Sequence, residues 1–380
     1  MGGRHSAVES VVTAATLRET FTNRRVLVTG HTGFKGSWLS AWLTQLGADV
    51  TGFALPPEHE QDHFHLLGLQ QRMRHIEGDI RDAAALEGAL RSATPEFVFH
   101  LAAQPLVRRS YLQPRHTFET NVAGSVNLLE AVRAAPAVRA LIYVTSDKCY
   151  REAATPGGYR ESDPLGGRDP YSASKACAEL VFASYHASFL AQRPDFAAAS
   201  VRAGNVIGGG DWAEDRIVPD CVRALLADQP ILIRNPQAVR PWQHVLEALG
   251  GYLHLAALLA SDRGKEFEGA WNFGPNLESH RTVQELVRAV ISNWGSGSVR
   301  YSAFHGQPQP VEAHSLVLNC EKARQQLGWS PRWDFATAMS QTMAWYRESR
   351  DMPHTWDLTM RQIENYAGAC AESEALRETA

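Results

Sequence analysis

The chain has 380 residues, 44% hydrophobic and 21% charged, a composition typical of a folded protein large enough for more than one domain. Its 37 Lys and Arg stand against 41 Asp and Glu, so the formal net charge of -4 excludes a broad basic surface for nucleic acid. No apolar run approaches the length of a membrane span, and residues 1–20 lack the compact hydrophobic region of a secretion signal.

The cysteine pattern bears on metal sites and on the cellular compartment. The five cysteines are widely scattered and form no Cys-x-x-Cys pair: Cys149, Cys177, Cys221, Cys320 and Cys370. This spacing argues against a zinc site or a disulfide framework. We therefore expect no metal and a location in the reducing cytoplasm. From the net charge and the lack of a long apolar run, we expect no nucleic-acid or membrane partner.

A glycine-rich turn stands between an apolar strand and a helix near the start of the chain. Residues 25–29 are typical of the strand and residues 38–46 of the helix, with Gly30, Gly33 and Gly36 between them. Glycines at such positions allow a tight turn and a close approach to a pyrophosphate, which rests on the helix N-terminus. The spacing is Gly-x-x-Gly-x-x-Gly, and its place between strand and helix predicts a dinucleotide site.

Strand and helix patterns then alternate along the chain. Further strands are predicted at residues 49–53, 75–78, 97–100, 140–145 and 198–202, with helices at 117–133 and 170–190. Such alternation predicts a parallel sheet covered on both faces, with ligands beyond the carboxyl ends of its strands. From Gly208 onward, loops rich in glycine, proline and tryptophan indicate a smaller lobe.

We therefore predict an α/β fold, a Rossmann-like doubly wound parallel sheet with a smaller C-terminal α/β substrate-binding lobe. The predicted divisions are an N-terminal extension at 1–23, a dinucleotide-binding domain at 24–203 that also takes in 236–262, the lobe at 204–353, and a C-terminal tail at 354–380. The extension and the polar end of the tail are typical of frayed segments.

Tyr171 and Lys175 form a Tyr-x-x-x-Lys pair 24 residues after Asp147. If Tyr171 opens a helix, Lys175 lies one turn along the same face, where its ammonium group can lower the pKa of the phenol from about 10. Alone, such a pair is more often part of an ordinary solvated helix. Together with the glycine turn, it indicates a catalytic tyrosine.

These features identify a resemblance to the extended short-chain dehydrogenase/reductase family over residues 24–347. The shared motifs are Gly30-x-x-Gly33-x-x-Gly36, Gly78-Asp79-Ile80, His100-Leu101-Ala102-Ala103, Asn121-Val122-x-Gly124 and Tyr171-x-x-x-Lys175. Within that family the chain is similar to sugar nucleotide 4,6-dehydratases at residues 30–39, 145–150, 202–212 and 240–245. Relatives acting on dTDP-glucose carry Asp-Glu where this chain has Asp147-Lys148, and the lysine resembles the branch acting on CDP-glucose.

The resemblance implies a redox-neutral dehydration of a nucleotide sugar with NAD as cofactor. NAD would take a hydride from C4 while Tyr171 takes the hydroxyl proton, with Lys175 assisting and Ser146 hydrogen-bonded to the same oxygen. The C5 proton, now α to a ketone, would be removed by Lys148 while Asp147 protonates the departing 6-hydroxyl. A hydride returned to C6 and a proton returned to C5 give the 4-keto-6-deoxy product. The alternative for Lys148 is a simple ion pair with Asp147 or a phosphate.

The resemblance also implies binding residues. Those for the cofactor are Gly30, Thr32, Gly33, Phe34, Gly36, Asp79, Ile80, Leu101, Ala102, Ala103, Tyr171 and Lys175, and those for the substrate are Asn121, Asn205, Arg216 and Arg240. Asp79 would meet the adenine amino group, although a helix cap is its alternative. Each arginine could instead form a structural ion pair, and Arg202 is expected beneath the site. The two adjacent phosphates of the substrate require cations and amides.

The second strand departs from the usual NAD pattern. It ends in Gly52-Phe53-Ala54-Leu55, without the acid that commonly holds the ribose hydroxyls and without an arginine for a 2'-phosphate. The residues thus leave NAD and NADP open, and the resemblance favours NAD.

Other functions remain possible on the same motifs. A sugar nucleotide 4-epimerase would need Tyr171 and Lys175 but not Asp147 and Lys148, and a dehydratase of another nucleotide hexose would need all four. A reductase would consume NADPH, and a non-catalytic dinucleotide sensor would not need the tyrosine and lysine. The resemblance implies a homodimer or a tetramer, with helices beginning near Thr117 and Pro170 packed as a four-helix bundle.

Overall fold

A computed structural model describes residues 12–153, 155, 157–301 and 317–378, with side chains up to residue 368. The strands are β1 (Arg25–Thr29), β2 (Asp49–Ala54), β3 (Arg74–Glu77), β4 (Phe97–His100), β5 (Ala140–Val144), β6 (Ala197–Arg202), β7 (Val206–Ile207), β8 (Ile231–Ile233), β9 (Val239–Pro241), β10 (Gln243–His244), β11 (Gly269–Asn272), β12 (His280–Thr282) and β13 (Val299–Tyr301).

The α-helices are α1 (Ala14–Phe21), α2 (Phe34–Gln45), α3 (His63–Leu66), α4 (Ala83–Ala93), α5 (Val107–Leu112), α6 (Pro114–Phe118), α7 (Gly124–Arg133), α8 (Pro170–Tyr185), α9 (Ile217–Leu226), α10 (Val245–Leu259), α11 (Val283–Trp294), α12 (Phe335–Glu348) and α13 (Trp356–Glu378). Single π-helical turns continue α6 and α8, at Glu119–Ala123 and His186–Leu190. None of the described helices has the length and hydropathy of a membrane span.

A seven-stranded parallel sheet forms the larger part of the molecule, in the order β11-β6-β5-β4-β1-β2-β3. Its two faces carry separate apolar cores, one against α2 and α10 and one against α4, α7 and α8. Strands buried on both faces consist mostly of apolar residues, as Ala140–Val144 does. The predicted doubly wound α/β fold is confirmed.

The sheet contains one strand more than the six that we predicted from the sequence. Strand β11 pairs with β6 in register from Gly269 with Ala199 to Asn272 with Arg202, although we had assigned residues 269–272 to the lobe. Helix α10, within the predicted 236–262 segment, packs on the sheet. The lobe itself holds three two-stranded pairs, β10-β7, β12-β9 and β13-β8.

Both terminal segments contain helices that pack on the core. Leu17 and Phe21 of α1 are buried, and the Phe21 ring lies 5.0 Å from that of Phe97. Ile363 and Tyr366 of α13 are also buried. The described parts of the predicted extension and tail are therefore ordered helices, because each presents apolar side chains to the face that carries α2 and α10. Residues 1–11 lie outside the described part of the chain.

Four of the cysteines, Cys149, Cys177, Cys221 and Cys320, carry free thiols, and the side chain of Cys370 lies outside the described residues. The cytoplasmic location stays a prediction.

Candidate active site

A cavity of about 1320 Å³ opens at the carboxyl ends of β1, β4, β5 and β6, between the sheet and the lobe. Nearly all of the predicted site residues line it: Gly30, Thr32, Gly33, Phe34, Gly36, Asp79, Ile80, Leu101, Ala102, Ala103, Ser146, Asp147, Lys148, Tyr171, Lys175, Asn205, Arg216 and Arg240. Parallel strands end at one edge of a sheet, so residues far apart in sequence meet there.

The glycine turn has the close contacts that a dinucleotide site requires. Gly30 has a φ of +76°, and a β-carbon on it would lie 2.7 Å from the Ala102 nitrogen. A β-carbon on Gly36 would lie 2.0 Å from the Gly30 oxygen, so strand and helix pack backbone to backbone. Gly33 caps α2 without a side-chain hydrogen bond, which leaves N–H groups of the first turn for an anion. These residues fit a dinucleotide pyrophosphate.

Asp79 lies at the edge of the cavity and is paired with Arg81. The Arg81 Nε donates to Asp79 Oδ2 at 2.9 Å and the Arg81 backbone N–H to Oδ1 at 2.9 Å, and this guanidinium lowers the pKa of the Asp79 carboxyl. The cap of α4 is Asp82, which accepts from the Ala85 N–H at 3.0 Å. The helix-cap alternative for Asp79 is therefore wrong, and its contact with adenine stays a prediction.

Tyr171 and Lys175 lie on the first two turns of α8, where both are buried. Asp169 caps this helix by accepting from the Ser172 N–H at 2.9 Å, and Pro170 occupies its first position. The cap fixes the start of the helix, and with it the position of the tyrosine at the cavity.

The pKa of Tyr171 differs from our expectation. Burial raises it to about 12, while a hydrogen bond with Ser146 and the charge of Arg216 act to lower it. Burial also lowers the pKa of Lys175 to about 8, against the opposing effect of the Glu179 carboxylate. We had predicted that Lys175 would lower the pKa of the phenol, but removal of the phenol from water outweighs the nearby charges.

Asp147 has a buried carboxylate whose two oxygens meet different partners. Ser146 Oγ donates to Oδ1 at 2.9 Å, and Asn205 Nδ2 lies 3.4 Å from Oδ2. Lys148 is only partly buried, and its ammonium group forms no ion pair within the described residues. The alternative of an ion pair between Lys148 and Asp147 is therefore wrong in this structure, and both residues face the cavity.

The two predicted substrate arginines approach the cavity from the lobe. Arg216 Nη1 lies 2.9 Å from Asp211 Oδ2; burial opposes the charge of Arg216, but this carboxylate raises its pKa. Arg240 donates from Nη1 to the Val239 carbonyl at 3.0 Å. Asn205 also lines the cavity, with a φ of +50°.

The sequence analysis missed a second basic group beside them. Arg108 on α5 and Arg234 after β8 both contact Asp215 Oδ1, at 2.9 and 3.0 Å, and all three residues line the cavity. Arg108 thus joins the sheet side of the cavity to the lobe. It lies outside every motif we used, and no signal in the sequence marked it.

A buried ion pair supports the site from below, as expected for Arg202. Its guanidinium contacts Glu179, with Nη2 to Oε2 at 2.8 Å and both side chains 4% exposed. Glu179 also accepts from Thr145 and Ser200, and Arg202 Nη1 donates to Tyr150 Oη at 2.7 Å. This network ties α8 to the ends of β5 and β6.

Asn121 is the one predicted substrate residue that the structure does not place in the cavity lining. Its amide nitrogen donates to the Gln104 carbonyl at 3.1 Å and to Ser174 Oγ at 2.9 Å, and its oxygen accepts from the Gln104 N–H at 2.8 Å. The side chain is buried and all its hydrogen-bonding groups are engaged. Asn121 therefore joins the loop after β4 to α8. Our prediction that Asn121 contacts the substrate is wrong in this structure.

Comparison with known proteins agrees with this arrangement. The family model described as GDP-mannose 4,6 dehydratase matches residues 27–342. The chain is 45% identical over 350 residues to a CDP-glucose 4,6-dehydratase of Salmonella typhimurium, covering 91% of this chain and 97% of that protein. It is 27% identical over 339 residues to a dTDP-glucose 4,6-dehydratase of Xanthomonas campestris, covering 84% and 92%.

Solved structures are similar over most of their length. A double mutant of a dTDP-glucose 4,6-dehydratase from Streptomyces venezuelae, with NAD bound, has a TM-score of 0.73 at 28% identity, covering 86% of this chain and 98% of that one. A UDP-glucose 4-epimerase from Thermus thermophilus, in complex with NAD, has a TM-score of 0.72 at 27% identity, covering 85% and 99%. The chain therefore belongs to the extended short-chain dehydrogenase/reductase family, among its nucleotide-sugar 4,6-dehydratases.

Proposed function

We propose that this protein is a CDP-glucose 4,6-dehydratase, which converts CDP-glucose to CDP-4-keto-6-deoxyglucose and water. The observation that carries the proposal is the position of Asp147 and Lys148 beside Tyr171 and Lys175 in one cavity. An epimerase on this fold needs only the second pair. The CDP-glucose 4,6-dehydratase that shares 45% of its residues with this chain supports the choice of nucleotide.

We further propose NAD as the resident cofactor. When bound, NAD supplies a hydride acceptor for C4 and later a donor for C6. The glycine turn would hold its pyrophosphate, Asp79 and Ile80 its adenosine, and Lys175 its nicotinamide ribose. No arginine follows β2 to receive a 2'-phosphate, and the solved relatives named above contain NAD.

In the first half of the reaction, Tyr171 accepts the proton of the C4 hydroxyl as C4 becomes a ketone. A base with a pKa of about 12 is rarely ionised at neutral pH, so the groups that lower this pKa favour the proton transfer. Ser146 does so by hydrogen bonding and Arg216 by its charge. Lys175, one turn along α8, lies on the same side of the helix.

In the second half, the ketone at C4 makes the C5 hydrogen acidic. Lys148, in its neutral form, takes this proton, and Asp147, in its protonated form, gives a proton to the departing C6 hydroxyl, so that water leaves. C5 is reprotonated when C6 receives its hydride, which completes the 4-keto-6-deoxy product. Ser146 and Asn205 hold the Asp147 carboxyl in place through its two oxygens. The acid and the base thus come from adjacent residues at the end of β5.

Substrate binding is assigned to the lobe. Arg216 and Arg240 would neutralise the diphosphate, and Asn205 would donate an amide N–H. All three line the cavity. Asn121 is not among the proposed substrate contacts, because its amide is engaged with Gln104 and Ser174.

Parallel incubations with CDP-glucose and dTDP-glucose test the proposal, with the base-induced absorbance of a keto sugar as the readout. We expect turnover of CDP-glucose, transfer of deuterium from C4 to C6, and no product from the Tyr171→Phe control. Turnover of dTDP-glucose alone would move the assignment to another nucleotide hexose. Formation of a CDP-linked 4-epimer without a keto product would replace the dehydratase by an epimerase.

We also propose that the enzyme is a homodimer, or a tetramer built from dimers, through α6, α7 and α8. Large apolar side chains are exposed along these helices and the adjoining α5 and π-helical turn: Tyr111, Leu112, Phe118, Leu180 and Phe189. A surface of this kind is typical of a contact between copies. Light scattering after size-exclusion chromatography should give at least twice the mass of one chain, and Leu180→Glu should lower it.

A further inference from the structure

Lys35 lies in the active-site cavity, and the reaction outlined above gives it no role. It is the second residue of α2, directly after Phe34, within the glycine turn. Helical side chains lean toward the N-terminus of their helix, so the Lys35 amine extends over the end of α2 where it lines the cavity. Its Nζ lies 6.0 Å from the centroid of the Tyr252 ring, the outer limit of a cation–π contact.

Lys35 has no carboxylate partner. Within the described residues its ammonium group forms no hydrogen bond and no ion pair, and the nearby charges are mostly positive. Burial lowers its pKa to about 8, Arg216 and Lys175 add to this effect, and Asp147 opposes it. The Asp147 oxygens already meet Ser146 and Asn205.

Such an ammonium group is costly to bury unless an anion joins it. The positive charges of Arg216 and Lys175 both act on Lys35, and we assign Lys175 to the cofactor and Arg216 to the substrate. The Asp211 carboxylate offsets Arg216 but does not contact Lys35. An incoming ligand with two adjacent negative charges would relieve the repulsion among these groups, and both nucleotides of the reaction carry a diphosphate.

We propose that Lys35 is a further binding residue, whose ammonium group contacts a diphosphate oxygen of a nucleotide in this cavity. This inference rests on the proposed function, since that function brings two diphosphates to the site. The N-terminal position of Lys35 on α2 suits the diphosphate of the dinucleotide, and its proximity to Arg216 suits that of the sugar nucleotide. Both candidate ligands offer the same group, a diphosphate, and the binding experiment below distinguishes them.

The experiment compares Lys35→Met, Lys35→Arg and wild type in equilibrium binding of NAD and of CDP to nucleotide-free enzyme, measured by calorimetry. Methionine keeps much of the apolar stem and removes the charge, while arginine keeps the charge. Lys265→Gln, an exposed substitution beside Glu268 and outside the cavity, controls for the change in net charge. The ligand-free thermal midpoint of each variant is recorded as well.

We expect Lys35→Met to weaken one of the two ligands by about tenfold to one-hundredfold, as for a charge-assisted hydrogen bond, with Lys35→Arg in between. Weaker binding of NAD assigns the Lys35 contact to the cofactor, and weaker binding of CDP assigns it to the substrate. The midpoint of ligand-free Lys35→Met should equal or exceed that of wild type, because an unpaired charge is removed.

Unchanged affinity for both ligands would overturn the inference, and a lowered midpoint of Lys35→Met beside it would make Lys35 structural. Neither result affects the proposed function if wild type still converts CDP-glucose. Conversely, a wild type that does not convert CDP-glucose would defeat the proposed function whatever the Lys35 variants bind.

Discussion

Gly204 lies directly against the Asp147 carboxylate: a β-carbon built on this glycine would be 2.0 Å from Oδ2 and 2.1 Å from Cγ. The approach is possible only because residue 204 has no side chain. Asp147 is thus held between the backbone after β6 and the hydroxyl of Ser146, and the proposed acid has no room to move toward β6.

We predict that Gly204→Ala displaces Asp147 and lowers kcat for CDP-glucose by about one-hundredfold, as expected for a misplaced catalytic group. NAD affinity should stay unchanged, because Asp147 is not assigned to the cofactor. Gly88→Ala on α4 is the matched control, since its added β-carbon meets nothing within 4 Å and alanine favours a helix. Equal kcat values for the two variants would contradict the assignment of Asp147.

Removal of the Ser146 hydroxyl should shift the pH dependence of C4 oxidation. The hydrogen bond between Tyr171 and Ser146 lowers the pKa of Tyr171, so Ser146→Ala should raise that pKa further. A reaction that needs phenolate accelerates as pH rises toward the pKa, and the rise should move to higher pH with a rate about tenfold lower at neutral pH. Single-turnover rates across the alkaline range measure this, and an unshifted profile would show that Ser146 does not set the pKa of the base.

Lys148→Ala should separate the two halves of the reaction. Oxidation at C4 depends on Tyr171 and should persist, whereas the C5 proton then has no base. We expect reduced cofactor to accumulate in a single turnover while solvent deuterium fails to enter C5. Full deuterium exchange at C5 in the variant would show that another group removes this proton.

The buried pair of Arg202 and Glu179 predicts a large effect on stability. Arg202→Met leaves the Glu179 carboxylate buried without its cation, which costs about 3–5 kcal/mol of unfolding free energy. Urea denaturation measures this loss. The exposed pair of Arg263 and Glu266 is the control, and Arg263→Ala should not move the midpoint. A small effect of Arg202→Met would mean that water reaches Glu179.

Glu247 predicts a pH dependence of stability. It is fully buried, and burial raises its pKa to about 7, against the hydrogen bonds that it accepts from the Trp333 N–H at 2.6 Å and from Tyr366 Oη at 2.8 Å. A raised folded pKa means that the folded state holds the proton more tightly. Its contribution is therefore full below the ordinary pKa of 4.5 and is lost as pH rises through about 7.

Glu247→Gln should abolish this component, which is at most about 3 kcal/mol. The unfolding free energy of wild type and variant is measured at pH 5 and at pH 8. The difference between the two proteins at each pH isolates the contribution of Glu247, because the buried histidines are present in both. Wild type should lose stability relative to the variant as pH rises. A constant difference between the two proteins would contradict the raised pKa.

The sequence predicted most of the sheet and most of the cavity. Apolar runs between glycine turns are strong signals, and all six predicted strands, β1 to β6, lie within one residue of their predicted bounds. The seventh strand was missed because Gly269–Asn272 lies beyond Gly208, in the loop-rich part of the chain that we assigned to the lobe. The predicted helix at residues 117–133 is interrupted by the π-helical turn Glu119–Ala123, a change of hydrogen-bond register that no side-chain pattern marks.

Site residues were predicted less evenly. Positions at strand ends were found because topology brings them together. Asn121 was misplaced because an asparagine amide can bind a ligand or the backbone equally well, and only the position of Gln104 decides. The pKa of Tyr171 was misjudged because burial cannot be read from a Tyr-x-x-x-Lys spacing. Lys35 could have been noticed as a cation inside a glycine turn.

The return of the chain to the sheet for β11 determines how the lobe is connected to the larger body. The polypeptide leaves the sheet after β6, comes back through α10 and β11, and departs again toward β12. Within the described residues at least three separate stretches therefore join the lobe to the larger body, and α13 packs on that body as well. A cut in one of these stretches would leave the others in place, so the lobe is not attached through a single linker.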